Sequence, residues 1–246
     1  MSWQTPDTYH TAGIERGTVT SISTRPGTTS VLNRMRAIAA ELPASDGAGV
    51  FNAMYLKVTE MVADRLTAHG VFHDDAFMAD LDVRFAQLWF AAYDAPARVP
   101  RAWSPLFAAR SRTDVLPIQF ALAGMNAHIE HDLPLAVVAT CAARRRTPAS
   151  PGVREDYEKV NDLLAGVEAE IRRSFENTLE QNIDDHLGPV SHLVSSWSID
   201  IAREVAWVNT ENLWELRRVP MLFDAYEGAL AHTVGMGSRL LLTPVS

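Results

Sequence analysis

Residues 124–133, which read GMNAHIEHDL, contain the side chains of this sequence best suited to acid–base chemistry. His128 and Asp132 are four residues apart, so in a helix they project from the same face. A neutral imidazole beside a carboxylate can act as a general base, because the carboxylate orients the ring and stabilises its protonated form. The same pair could supply half of a metal site whose other ligands come from facing helices.

Apolar residues surround this pair along the chain, with Phe120 and Met125 before it and Leu135 after it. Burying polar groups there without hydrogen-bond partners would cost several kcal/mol, so the sequence predicts that partners exist. His131 adds a second imidazole one step around the helix. A buried His–Asp pair that only fixes helix packing explains the pattern as well as a functional site does.

A second group of such side chains comprises Trp197, Asp200, Arg203 and Trp207. In a helix, the spacing of Asp200, Arg203 and Trp207 places an acid, a base and an aromatic ring on one face. The Arg203 guanidinium could bind a carboxylate or a phosphate with two hydrogen bonds. An ion pair of Arg203, with Asp200 along the helix or with a residue of a neighbouring helix, is the commoner arrangement.

Two further polar residues lie in apolar segments. Asp82 begins an aromatic face with Phe85 and Trp89 and could reach a pocket, although an acid in the first helical turn, which complements the helix dipole, is the favoured interpretation. Asn161 shares a face with Tyr157 and is expected to point inward, where asparagine usually makes a hydrogen bond between helices.

Helices are the elements predicted to position these residues, because apolar side chains recur every three or four positions and no strand pattern is found. Ser30 is the predicted N-cap of the first helix, and Pro134 should break or kink the long fifth helix near Leu133. The sequence predicts an all-α, single-domain multi-helix bundle at 30–246, preceded by an extended Thr- and Ser-rich arm at 1–29. The predicted helices span 31–42 and about 46–70, 80–93, 100–109, 115–143, 151–181, 190–217 and 221–242.

Composition limits the classes of function. The 246 residues include 22 Lys and Arg against 30 Asp and Glu, and this net charge of −8 argues against general nucleic-acid binding. A single cysteine, Cys141, excludes an internal disulfide and a CxxC-type zinc site. Without a membrane span or a visible secretory signal, we expect a cytoplasmic protein with no membrane partner. Zinc-peptidase, di-iron and phosphate-loop motifs are also missing from the sequence, and no cofactor is expected.

Five segments of the chain resemble one all-helical family of bacteria and fungi, the domain-of-unknown-function family number 5995. They span 42–62, 81–89, 124–136, 156–165 and 198–207, and the GMNAH-x-x-x-DL core is the most specific. The resemblance covers about 32–217 and leaves out the arm and the last helix. It implies architecture but no activity. Where the family pattern more often has Asn, this chain has His131, so a metal site through His131 is not expected of the whole family. Polar residues inside the matching segments are Asp82, Asn126, His128, Asp132, Asn161, Arg203 and Trp207.

The leading functional hypothesis is a small-molecule enzyme with a pocket inside the bundle. His128 would act as general base or acid, Asp132 would orient it, and Asn126 and Arg203 would supply hydrogen bonds to the substrate. The predicted substrate-binding residues also include Asp82, Trp89, His131, Asn161, Asp200 and Trp207.

Proton-transfer chemistry without a cofactor fits these residues: cyclisation, condensation, elimination or isomerisation, such as a Pictet–Spengler-type ring-forming step in natural-product biosynthesis. The first alternative is a metal-dependent hydrolase in which Asp82, Asp200 or His73 joins His128 and Asp132. The second is a non-catalytic ligand-binding or scaffold protein. A small molecule is the expected partner, and a homodimer is left open.

Overall fold

The computed structural model describes residues 27–67, 70–95, 98–161, 164–166, 169, 173 and 197–244. These residues form helices, turns and irregular segments but no strand, which confirms the predicted all-α fold. The predicted arm lies outside the described residues up to position 26. Most of the predicted helix beyond position 161 and the predicted helical residues 190–196 also lie outside them.

Nine α-helices are found in the described part of the chain. They are α1 (Thr28–Glu41), α2 (Gly47–Thr67), α3 (Asp75–Asp94), α4 (Ser104–Ala109), α5 (Pro117–Ala127), α6 (Leu133–Ala143), α7 (described over 153–161), α8 (Ile199–Leu216) and α9 (Pro220–Leu241).

Several helix starts differ from the prediction: α3, predicted from about 80, begins at Asp75, and α4, predicted from about 100, begins at Ser104. α1 begins at Thr28, after an extended Gly27, so Ser30 lies inside the first turn and is not the N-cap. α8 begins at Ile199 and not near residue 190, because Ser198 is extended, with φ −136° and ψ 131°. Trp197 therefore lies outside the helix that carries Arg203.

The chain between α5 and α6 forms a single π-helical turn, His128–Asp132. Its hydrogen bond runs from the Leu133 amide to the His128 carbonyl, five residues back. Pro134 has no amide hydrogen, and its ring crowds the preceding turn, which favours this wider geometry. The interruption predicted near Leu133 is confirmed, and it coincides with the segment that carries the His–Asp pair.

α5, the π turn and α6 run through the interior of the described structure. α5 packs against α2 and α9, whereas α6 packs against α3 and α8. Every residue from Gln119 to Ala127 is buried. The π turn itself contacts α3, α8 and α9, so its side chains are enclosed by neighbouring helices. None of the described helices is long and apolar enough to cross a membrane.

Candidate functional site

Asp132 is held at the centre of a buried hydrogen-bond network in the π turn. Its Oδ2 lies 2.9 Å from His128 Nδ1 and accepts a second hydrogen bond from Trp103 Nε1, also at 2.9 Å. Its Oδ1 lies 2.7 Å from His131 Nδ1. Burial raises the pKa of Asp132, but the hydrogen bonds from His128 and His131 outweigh it, and the pKa falls below the ordinary value. Asp132 is therefore an ionised and fully engaged carboxylate.

This network fixes the protonation state of His128. Because ionised Asp132 can only accept hydrogen bonds, the proton on the His128 ring is assigned to Nδ1, and Nε2 carries the lone pair. Burial lowers the pKa of His128, more than Asp132 raises it, so the ring is neutral at neutral pH. His128 is 2 % exposed, and Nε2 has no hydrogen-bond partner among the described residues.

Aromatic side chains clamp the His128 ring. Phe85 stacks on it with ring centroids 3.6 Å apart and planes 7° apart. Tyr55 meets it edge-on at 4.4 Å, and Phe51 and Trp103 lie at 5.7 and 5.8 Å. These contacts leave the imidazole one orientation, which is the preorganisation that a catalytic base needs.

A cavity of about 90 Å³ lies beside this ring. Because a cavity of about 150 Å³ binds benzene, this volume encloses a group of about four non-hydrogen atoms. Its walls come from α2, α3, α5, the π turn, the start of α6, α7 and α8, and they are mostly apolar. The polar side chains in the lining are those of Tyr55, Thr59, Asp82, His128, Tyr157 and Arg203.

Three of these polar residues each bring a buried polar atom with no hydrogen-bond partner among the described residues: Tyr55 Oη, Asp82 Oδ2 and His128 Nε2. Burial raises the pKa of Asp82 to about 7, although a hydrogen bond from Thr28 partly opposes the shift. Burial and, secondly, the charge of Asp82 raise the pKa of Tyr55 well above its ordinary value. An unsatisfied buried polar atom costs about 1–3 kcal/mol, so three of them on one cavity need a reason.

Arg203 forms a further polar part of the lining. Its side chain packs over the Tyr157 ring, 4.0 Å from the centroid. Nε donates to Asn161 Oδ1, and one terminal nitrogen donates to the Tyr157 carbonyl. The predicted inward-facing Asn161 is thereby confirmed, and it holds Arg203 in place.

The structure brings only part of the predicted site residues to the cavity. His128, Asp82 and Arg203 line it, while Asp132 and Asn161 support His128 and Arg203 from behind. The interpretation of Asp82 as a first-turn acid is wrong, because α3 begins seven residues earlier, at Asp75.

The other predicted substrate-binding residues lie elsewhere. Asn126 donates to the Val234 carbonyl and Ser238 Oγ of α9, Trp89 donates to Asn52, and Trp207 donates to Glu211. Asp200 is exposed and makes no ion pair with Arg203 within 4.0 Å, so the intrahelical pair favoured from the sequence is wrong.

Tyr55 and Trp103 are the site residues that the sequence did not reveal. Trp103 is 29 residues from Asp132 in the chain, and nothing local signals their hydrogen bond. Tyr55 follows Met54, which the helical periodicity already places on the buried face of α2. Whether the Tyr55 hydroxyl has a hydrogen-bond partner depends on how α2 packs against its neighbours, which the sequence does not reveal.

His131 lies on the far side of Asp132, away from the cavity lining, and Nε2 lies 2.9 Å from Glu227 Oε1 of α9. Burial lowers the pKa of His131, but hydrogen bonds to Asp132 and Glu227 outweigh it and raise the pKa to about 9. His131 is thus a cation between two carboxylates. His131 therefore has a structural role in joining the π turn to α9.

The charge on His131 predicts a stability that depends on pH. Below about pH 6.5 both the folded and the unfolded chain bind the proton; above it the unfolded chain loses the proton first. The free energy of unfolding should therefore fall by up to about 3 kcal/mol between pH 6.5 and pH 9. His131→Asn should remove this component of the pH dependence, and urea unfolding across this range measures it. His232→Gln, at an exposed position, should keep the wild-type dependence of stability on pH. If His131→Asn also keeps it, His131 is not the charged group responsible.

The ligand set required by the metal-hydrolase hypothesis does not converge in the described part of the chain, where no group of three or more His, Cys, Asp and Glu is arranged to hold a metal. The N–H groups of Trp103, His128 and His131 all point at the two Asp132 oxygens, so the carboxylate is already occupied by hydrogen bonds. His73, a predicted further ligand, pairs instead with Asp156 at 2.8 Å. Asp156 also accepts the backbone amides of His73 and Asp74, so this pair anchors the start of α3.

A family model matches residues 28–244 of the chain, under the description family of unknown function. This match confirms the resemblance seen at about 32–217 and extends it through α9. No curated protein and no solved structure matches the chain. With the match covering all the described helices, the chain belongs to the family of unknown function DUF5995.

Proposed function

We propose that this protein is a small-molecule enzyme that performs acid–base chemistry without a cofactor, in the cavity beside His128. The observation that carries the proposal is the set of three buried, unpartnered polar atoms on one apolar cavity: Tyr55 Oη, Asp82 Oδ2 and His128 Nε2. Folding removes these atoms from water without giving them hydrogen bonds in exchange, and this costs free energy. A bound substrate can supply the missing hydrogen bonds.

Each group has a role that follows from its protonation state. His128 Nε2 removes a proton from the substrate, and Asp132 stabilises the imidazolium that forms. Asp82 is protonated below about pH 7 and can deliver a proton to a second substrate atom. The Tyr55 hydroxyl donates a hydrogen bond to an oxygen on which negative charge develops. Removal of one proton and delivery of another describe an isomerisation, an elimination, or a condensation or cyclisation, the Pictet–Spengler type among them.

The scaffold alternative explains only part of the arrangement. A structural role accounts for the three hydrogen bonds on Asp132 and for the His131–Glu227 contact. It gives no reason for Asp82, a buried carboxyl group with no cation beside it in the part of the chain that the structure describes, or for the open Nε2 of His128. These groups favour the enzyme.

Incubation with a small-molecule extract in deuterated buffer, followed by mass spectrometry, tests the proposal. The wild-type protein should consume a substrate and form a product. Because the reaction exchanges protons with the solvent, one of the two compounds should also become labelled with deuterium. His128→Gln should slow that change by a factor of about 10²–10⁴. His232→Gln, with an exposed imidazole replaced, should match the wild type. If no compound distinguishes wild type from His128→Gln, the protein does not use this residue as proposed.

A further inference from the structure

We propose that the cavity binds a small monocarboxylic acid, whose carboxylate pairs with Arg203 and whose carbon skeleton fills the apolar part of the cavity. The inference rests on the proposed function in using the same cavity, and it names the class of substrate. It begins from the unusual position of Arg203, a cation that is 5 % exposed and lines a largely apolar space.

No carboxylate of the described residues lies within 4.0 Å of the Arg203 guanidinium. Asp200 and Glu204, its acidic neighbours on α8, are both exposed, and Glu204 pairs with Arg154 at 3.1 Å. Burial lowers the pKa of Arg203, against smaller opposing effects of Tyr157, Asp200 and Glu204. A buried cation without a counter-ion is costly, so an anion supplied by a ligand would complete the site.

The guanidinium is also held in a fixed position. Its Nε and one terminal nitrogen are engaged by Asn161 and the Tyr157 carbonyl, and its plane rests against the Tyr157 ring. The Tyr157 hydroxyl in turn donates to the Arg203 carbonyl at 2.7 Å. Among the described residues, the second terminal nitrogen makes no hydrogen bond, and a guanidinium has five N–H donors in total. Donors therefore remain for a planar anion such as a carboxylate.

The rest of the lining determines what the anion must be attached to. Apolar side chains such as Met54, Val58 and Leu81 make up most of the wall. The volume of about 90 Å³ accepts only a compact skeleton. Acetate and propionate are suitable probes, because each combines a single carboxylate with an apolar body small enough for this volume. Acetamide and propionamide match their shapes without the charge.

Isothermal titration of wild-type protein with the two acids and their amides tests the charge requirement. Charge-assisted hydrogen bonds to Arg203 should make each acid bind about 10- to 100-fold more tightly than its amide. In Arg203→Met this preference should disappear while the amide still binds, and Arg203→Lys should keep part of it. Equal affinities of acid and amide for the wild type, or no saturable binding of either acid at millimolar concentration, overturn the inference.

The comparison of acid and amide on the wild-type protein tests the inference even if Arg203→Met fails to fold, and circular dichroism reports the folding of both variants.

The inference and the proposed function can also fail independently of each other. If the acids bind through Arg203 but no compound of the extract distinguishes wild type from His128→Gln, the carboxylate-binding site stands and the reaction is refuted. If deuterium exchange depends on His128 but acid and amide bind equally well, the anion site is refuted and the proposed reaction stands.

Discussion

Asp82→Asn is expected to raise the free energy of unfolding by about 2–4 kcal/mol at pH 8, although it removes a residue of the site. The pKa of Asp82 is raised from 3.8 to about 7 by burial. Below pH 3.8 both folded and unfolded chains hold the proton, so the carboxyl costs nothing. As the pH rises towards 7 the unfolded chain releases the proton and gains stability relative to the folded chain. Asparagine, which has the same shape, does not ionise and avoids this cost.

The gain should therefore depend on pH. We expect it to be small at about pH 4 and fully developed at pH 8, where it corresponds to a rise in melting temperature on the order of 10 °C. Urea unfolding at both values measures the difference. A gain of equal size at both pH values, or a loss of stability at pH 8, would show that Asp82 does not carry the cost of an isolated buried carboxylate.

Asp80 provides a matched control on the same helix. It is buried like Asp82, but its Oδ2 lies 3.2 Å from Arg144 Nε and 3.5 Å from Arg84 Nε. Asp80→Asn should destabilise the protein by about 1–3 kcal/mol, because two arginines lose their carboxylate partner. Opposite signs for two aspartates two residues apart would identify Asp82 as a group kept for function at a cost in stability.

The fold could be predicted from the sequence largely because it depends on local patterns. Helical periodicity identified the all-α class, and Pro134 located the break near Leu133. Helix starts were less accurate. α3 begins at Asp75, where the Asp74 side chain caps the helix by accepting a hydrogen bond from the Phe77 amide, and Asp156 holds the preceding turn from more than 80 residues away.

The candidate site could be predicted only in part for the same reason. The spacing of His128 and Asp132 revealed the oriented imidazole, since four residues make one helical turn. The spacing could not show which of the surrounding polar groups have partners. Asn126 and Trp89 looked equivalent to Asp82 in the sequence, but tertiary packing gives each of them a hydrogen bond, whereas Asp82 Oδ2 has none from the described residues.

Asp132→Asn is expected to have the largest effect on turnover after replacement of His128 itself. Because Trp103 Nε1 can only donate, the asparagine oxygen should face Trp103 and His128, and the amide nitrogen should face His131, whose Nδ1 must then give up its proton. His128 keeps its Nδ1-protonated tautomer but loses the negative charge that stabilises its imidazolium form. The reaction identified by deuterium labelling should slow by about 10²-fold.

Stability and protonation give independent readouts of the same change. Asp132→Asn also removes one of the two carboxylates that stabilise the His131 cation, so it should cost about 3 kcal/mol in the free energy of unfolding. His131→Asn is the matched control, because it alters the opposite side of Asp132 and leaves the His128 contact intact. It should stay within about tenfold of the wild-type turnover.

The ¹⁵N chemical shifts of His128 separate the loss of the Asp132 charge from a loss of ring orientation. In wild type they should report a neutral ring protonated at Nδ1, and His131→Asn should preserve that state. In Asp132→Asn the shifts should still report Nδ1 protonation, because the asparagine oxygen accepts hydrogen bonds from both His128 and Trp103, while turnover falls with the loss of the charge. A folded Asp132→Asn that keeps both the tautomer and the turnover would mean that the aromatic clamp of Phe85 and Tyr55, not the carboxylate, determines the chemistry of His128.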